Sequence, residues 1–129
     1  MMHRVLVVED NQDLRESLVE VLETYGYEAV GARHGQDALD KLSTLDTLPC
    51  VIVLDLMMPV MSGYQFREEQ LKLPAFAAIP VLIVTADVNA RSKVESLQVA
   101  GFVQKPLKIQ PLLDLVNQLV AASSRESPS

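Results

Sequence analysis

Tryptophan is absent, and only three tyrosines and three phenylalanines occur in 129 residues, so aliphatic side chains must build any core. A single cysteine, Cys50, excludes an internal disulfide, and the composition reads as that of an intracellular protein. Cys50 precedes an apolar run and is expected to be a small buried or half-buried residue rather than a redox centre. Basic residues are in short supply. Eleven Lys plus Arg stand against seventeen Asp plus Glu, for a net charge of −6. That balance argues against a non-specific grip on nucleic acid or anionic membrane, because both need a basic surface. No apolar run approaches the ~20 residues of a membrane span. Val5-Leu6-Val7-Val8 near the N-terminus is too short for a signal-peptide core and ends in two acids. The expected location is the cytoplasm. His3 and His34 are lone histidines, expected at the surface.

What is present is 49% hydrophobic and suits one domain. Val5–Val8 is a short β-branched run. Asn11 can cap the helix after it, in which Leu14, Leu18, Val21, Leu22 and Tyr25 share one face. Gly26 ends that helix as a C-terminal glycine does. Residues 28–32 are a weaker strand candidate, and Gly35 opens a second helix with Ala38, Leu39, Leu42 and Leu45 on one side. Val51-Ile52-Val53-Leu54 reads as a fully buried strand, and Pro59 and Gly63 mark the loop after it. A third helix is expected from Gly63 to Lys72, stopped by Pro74. Val81-Leu82-Ile83-Val84 is another buried strand. Asn89 is the candidate cap of a fourth helix whose stripe of Ala90, Val94 and Leu97 is thin. Phe102-Val103 makes a short fifth strand, and Ile109, Leu112, Leu113, Val116, Leu119 and Val120 stripe a last helix. Residues 1–122 are expected to form the domain, with the polar residues 123–129 a disordered tail. Five βα units with aliphatic strands imply an α/β fold, a parallel sheet covered by helices on both faces.

In such a sheet, ligands bind outside the carboxyl ends of the strands. The first strand ends in Glu9-Asp10, the third in Asp55 and the fourth in Thr85-Ala86, and Lys105-Pro106 follows the fifth. Carboxylates held together repel, and so recruit a cation or raise a pKa. Mg²⁺ prefers oxygen ligands and takes one or two carboxylates plus phosphate. A carboxylate can also attack phosphorus to give an aspartyl-phosphate, with Lys105 and a metal balancing the charge. Taken singly, each residue has an ordinary explanation: a helix-start acid pair, a turn aspartate, a strand-end threonine, a surface lysine. Their joint order and strand-end placement point to phosphoryl chemistry at Asp55.

The chain resembles a two-component response-regulator receiver domain from about Arg4 to Val120. The segments that carry the likeness are Val5-Leu6-Val7-Val8-Glu9-Asp10, Leu54-Asp55-Leu56-Met57-Met58-Pro59 with Gly63, Val84-Thr85-Ala86, and Gln104-Lys105-Pro106-Leu107. The resemblance implies a flavodoxin-like fold of five parallel strands in the order 2-1-3-4-5. It implies Asp55 as phosphoacceptor. Asp10, Asp55 and the Met57 backbone carbonyl would be ligands of Mg²⁺, or of Mn²⁺ in its place. Glu9 would act through a metal-bound water. Thr85, the Ala86 amide and Lys105 would hold phosphoryl oxygens, and a cis bond before Pro106 would aim Lys105 at the site. Thr85 and Phe102 would be the switch residues, and Pro59, Gly63 and Pro106 would shape the site. Glu9 stands where aspartate is frequent, and the loop before Lys105 looks about two residues short. Met57 and Asp87 occupy positions that tune phosphoryl lifetime. An apolar Met57 cannot orient an attacking water, so autodephosphorylation is expected to be slow.

The implied function is phosphorelay signalling. A sensor histidine kinase or a phosphotransfer protein would supply the phosphoryl group. The face of helix 4, strand 5 and helix 5 would then change for an unidentified downstream protein. No output domain is evident, and no independent substrate turnover is expected. An Mg²⁺-dependent hydrolase using an aspartyl-phosphate is the competing enzyme reading. It would need a second acid two residues after the nucleophile, where Met57 stands. A phosphorylation-independent interaction module is the third, disfavoured because all the acids, Thr85 and Lys105 are intact. Flavin binding lacks a Gly/Ser/Thr-rich loop after the first strand. Direct DNA binding lacks a basic stripe.

Overall fold

The computed structural model describes residues 3–87 and 89–126. Five strands alternate with five helices: β1 (Arg4–Val8), α1 (Gln12–Thr24), β2 (Glu28–Ala32), α2 (Gly35–Thr44), β3 (Val51–Asp55), α3 (Gly63–Lys72), β4 (Val81–Thr85), α4 (Ala90–Val94), β5 (Gly101–Gln104) and α5 (Ile109–Glu126). A 3-10 turn (Glu95–Leu97) extends α4. Every strand pairing is parallel, and the order is β2-β1-β3-β4-β5. This is the doubly wound class and strand order that the resemblance implied.

The strands are buried because each aliphatic run feeds two cores. In β1, Leu6 and Val8 face a core shared with Ala38 and Leu42 of α2 and Phe66 of α3. Val5 and Val7 face the other, with Leu18 and Leu22 of α1 and Leu112, Leu113 and Val116 of α5. Period-two alternation within an all-apolar strand supplies both faces at once.

Caps set the helix starts. Asn11 accepts from the Leu14 amide, as expected. His34 is not a bare surface histidine: its Nδ1 accepts from the Asp37 amide and caps α2. Ser62 and Gln65 close a capping box on α3. Asn89 makes no side-chain cap bond. Asp87 Oδ1 accepts from the Asn89 amide at 2.9 Å, so the acid two residues earlier supports that turn. Tyr25, expected on the buried stripe, is 59% exposed because α1 stops at Thr24 and the chain turns away at Gly26, φ +92°. The sequence places an unstructured tail from Ser123, but α5 continues to Glu126. Extending an existing helix costs no new nucleation, and Ala121 and Ala122 carry it onward. Residues 127–129 of that expected tail lie outside the described residues.

Candidate functional site

Adjacency of β1, β3, β4 and β5 brings their carboxyl ends side by side. Asp55 is the last residue of β3 and 5% exposed, and Glu9 follows β1 at 2% exposed. Asp10 is exposed. Carboxylate oxygens of Glu9, Asp10 and Asp55 all lie within 4.8 Å of one another. Lys105 reaches in from the end of β5. Its Nζ donates to Glu9 Oε1 at 2.8 Å and stands 3.5 Å from Asp55 Oδ2. The second Glu9 oxygen accepts from the Asn11 amide at 3.2 Å. The Met57 amide donates to Asp55 Oδ1 at 3.3 Å.

The electrostatics follow from crowding. Partial burial is the largest cause that raises the Asp10 pKa above its ordinary value, and the neighbouring Glu9 carboxylate adds to it. For Lys105 burial works against the ammonium, but the Glu9 hydrogen bond and the charges of Asp55 and Glu9 outweigh it, so its pKa is raised. A raised folded pKa makes the Lys105 contacts fully stabilising below the ordinary lysine value of 10.5 and loses them as pH rises through the folded value. Metal-free wild type should therefore lose melting temperature across that alkaline window, and Lys105→Met should lose less. Equal alkaline losses in paired thermal melts would rule out this linkage.

Thr85 ends β4 and is fully buried. Its Oγ1 accepts from the Asp87 amide at 3.2 Å, leaving the hydroxyl hydrogen free to donate. The Lys105 amide donates to the Thr85 carbonyl at 2.8 Å, joining the two loops. Ala86 is exposed just beyond Thr85, and Met57 stands out at 61% exposed. The Lys105–Pro106 peptide bond is cis, as the resemblance implied, and Pro59 and Pro106 are exposed. Gly63 sits against the backbone of Asp55 and Leu56. Its amide donates to the Leu56 carbonyl, and a methyl in place of its hydrogen would stand 2.8 Å from Leu56 Cα.

Phe102 belongs to a different neighbourhood. It pairs with Ile83 in the β4–β5 register and packs, half-buried, on the core that includes Val94 and Leu97. The Arg91 guanidinium lies 5.6 Å above its ring. Beside it is a cavity of about 370 Å³, lined by Val94, Gln98 and Gly101 among others.

One contact beside the acids escapes sequence reasoning. Arg15 donates to the carbonyls of Glu9 and Asp10 at 2.9 and 3.4 Å, bracing the corner that carries the acids. Its targets are backbone atoms, so no residue pattern marks it. Asp87 is also committed locally. Beside the Asn89 amide, its second oxygen lies 3.8 Å from Lys93. Oxygen donors of this number and charge fit a hard divalent ion such as Mg²⁺ better than a soft one.

Comparison with known proteins agrees with this geometry. Residues 5–117 match the model of the response regulator receiver domain. The chain is 35% identical over 118 residues to hybrid signal transduction histidine kinase D of Dictyostelium discoideum, covering 90% of this chain and 7% of that protein. It is therefore similar to a small part of a much longer relative. It superposes with a TM-score of 0.85 on the signal receiver domain of a histidine kinase from Syntrophus aciditrophicus, at 32% identity, covering 98% of this chain and 96% of that one. Response regulator TrrA of Thermotoga maritima, solved in complex with Mg²⁺-BeF, matches with a TM-score of 0.80 and 31% identity, over 92% and 99% of the two chains. Among the described residues no helix is long and apolar enough to cross a membrane. With the acids, Thr85 and Lys105 at the strand ends of this sheet, and a family match across most of its length, the chain belongs to the response regulator receiver domains of two-component signalling.

Proposed function

We propose that Asp55 accepts a phosphoryl group from the phosphohistidine of a sensor kinase or a phosphotransfer protein. The observation that supports this most directly is the buried Asp55 carboxylate set between two further acids and one ammonium. An Asp55 carboxylate oxygen forms the new O–P bond as the donor's N–P bond breaks and its imidazole leaves. Asp10, Asp55 and the Met57 carbonyl would hold Mg²⁺, with Glu9 acting through water, and Mn²⁺ is expected to substitute. When bound, the ion supplies charge neutralisation for the acids and the incoming phosphoryl oxygens. Lys105 turns its ammonium to the phosphoryl oxygens, already within 3.5 Å of the nucleophile. The Thr85 hydroxyl and the Ala86 amide donate to the others. Because Thr85 Oγ1 also holds the Asp87 amide, its movement pulls on the loop into α4. The consequence is a changed face of α4, β5 and α5, with Phe102 turning inward, presented to a downstream protein. The chain acts through protein contact rather than on nucleic acid and turns over no independent substrate.

Incubation with Mg²⁺ and acetyl phosphate, followed by intact mass measurement, tests this. One phosphoryl adduct is expected, and none after chelation. Folded protein that gains no mass overturns the proposal.

The adduct should be long-lived. Met57 is apolar and exposed, so it orients no water at phosphorus, and one Asp87 oxygen is taken up by the Asn89 amide. Met57→Asn supplies a carboxamide at that rim that can orient water, and should shorten the lifetime. Decay of the wild-type adduct within seconds at neutral pH, followed by mass, would contradict the reading of Met57.

A further inference from the structure

The inward stripe of α3 carries two polar residues where packing alone asks for apolar ones. Arg67 is 5% exposed and Gln70 is fully buried, next to Gly63 and Phe66 on the same face. The phosphoacceptor site uses neither. Arg67 Nε donates to the Leu97 carbonyl at 2.9 Å, and its Nη2 donates to the Gln98 carbonyl at 2.8 Å. Its Nη1 donates to Gln70 Oε1 at 2.8 Å. Gln70 Nε2 then donates to the carbonyls of Phe76 and Ile79 at 2.9 and 3.1 Å. All three guanidinium nitrogens are thus committed to acceptors. Burial lowers the Arg67 pKa, so desolvation is a cost that these bonds offset.

The place of contact is specific. Leu97 and Gln98 end the 3-10 turn that follows α4, and Gln98 is left-handed at φ +53°. Carbonyls at a helical end lack internal partners and carry partial negative charge, which a cation complements. The opposite end of the segment is held differently. α4 has only five residues, Asn89 gives it no side-chain cap, and Asp87 hangs on the Thr85 hydroxyl. One end is tied to the switch, whereas the other is tied to α3.

We propose that Arg67 is a fixed pivot, pinning the end of the α4 segment to α3, so that switching at Thr85 tilts the earlier residues about Leu97–Gln98. What moves rests on the phosphoacceptor reading, but the pin itself does not. The surface that changes is then the start of α4, where Arg91 covers the Phe102 ring. The far end, at Leu97 and Gln98, stays in place.

Amide exchange and chemical shifts, measured by NMR on the full chain with and without Mg²⁺ and beryllofluoride, test the pivot. Arg67→Met combined with Gln70→Leu replaces the buried polar pair by apolar volume but takes donors from the Leu97, Gln98, Phe76 and Ile79 carbonyls, so its global stability is measured alongside. The Gln98 and Ala100 amides should exchange at least about tenfold faster in it, out of proportion to global stability. Arg67→Lys keeps the charge and reaches fewer carbonyls, so it should fall between. In wild type the beryllofluoride-induced shifts should stop before Leu97, and in the double variant they should run through 97–100. Exchange at Gln98 and Ala100 that follows global stability overturns the pin. So do wild-type shifts that already cross 97–100. If the double variant is too unstable, exchange in Arg67→Lys decides. A wild type that responds nowhere to beryllofluoride rejects the phosphoacceptor reading, and the ligand-free exchange then judges the pin.

Discussion

Asp55→Asn should gain no phosphoryl mass from acetyl phosphate under conditions that label wild type fully. The carboxamide matches the carboxylate in shape but has no anionic oxygen to attack phosphorus. The same change should also make the metal-free fold more stable. Asp55 is 5% exposed and lies within 4.8 Å of two other carboxylates, and Lys105 is in salt-bridge contact with it. Removing one like charge from that group relieves repulsion from Glu9 and Asp10, while the Lys105 ammonium keeps its Glu9 partner. Added Mg²⁺ should then raise the melting temperature of wild type more than that of the variant, since binding to the native state stabilises it. The paired readouts separate chemistry from folding. A variant that melts higher and yet takes a phosphoryl group would identify another acceptor and remove Asp55 from the proposal.

Gly63→Ala should be the most damaging small substitution near the site. The new methyl would meet the Asp55 carbonyl carbon at 3.0 Å and Leu56 Cα at 2.8 Å, with the Asp55 carbonyl oxygen closer still. Those atoms are backbone and cannot rotate aside. The start of α3 must lift off β3, straining the bond from the Gly63 amide to the Leu56 carbonyl. Overpacking of this kind costs about 2–3 kcal/mol in denaturant unfolding. Displacement of the nucleophile by ~1 Å should slow phosphoryl acceptance about 100-fold. Gly35→Ala is the control. The three atoms nearest its methyl all belong to the Met61 side chain, at 2.6–2.9 Å, and a methionine can move away. It should cost less than about 1.5 kcal/mol and leave the labelling rate unchanged. Equal losses at the two glycines would show that contact with backbone is not what distinguishes them.

Much of this was legible in the sequence, for a physical reason. Strands buried on both faces appear as unbroken aliphatic runs, so β1, β3 and β4 announce themselves and their ends locate Glu9, Asp10, Asp55 and Thr85. Lys105 could be placed because one short strand precedes it. What could not be read depends on backbone acceptors that exist only after folding. Arg67, Gln70 and Arg15 reach for carbonyls brought to them by the fold, and no spacing of side chains records that. His34 serves as a cap through its ring nitrogen, a role usually left to Ser, Thr, Asp or Asn. At α4 the thin stripe of Ala90, Val94 and Leu97 correctly signals a weak helix, which comes out as a single short segment ending in a 3-10 turn. The end of α5 was misplaced because polar composition says little about where an established helix stops.

The Lys105–Glu9 ion pair joins residues 96 positions apart in the chain. During synthesis Asp55 and both neighbouring acids leave the ribosome well before Lys105, their counter-charge. Until β5 docks against β4, the three acids face each other without that partner. The parallel pairings that build the site all close long loops, which is intrinsically slow. If Asp55 carries the phosphoryl group as proposed, competence to accept it would wait for the fifth strand to dock.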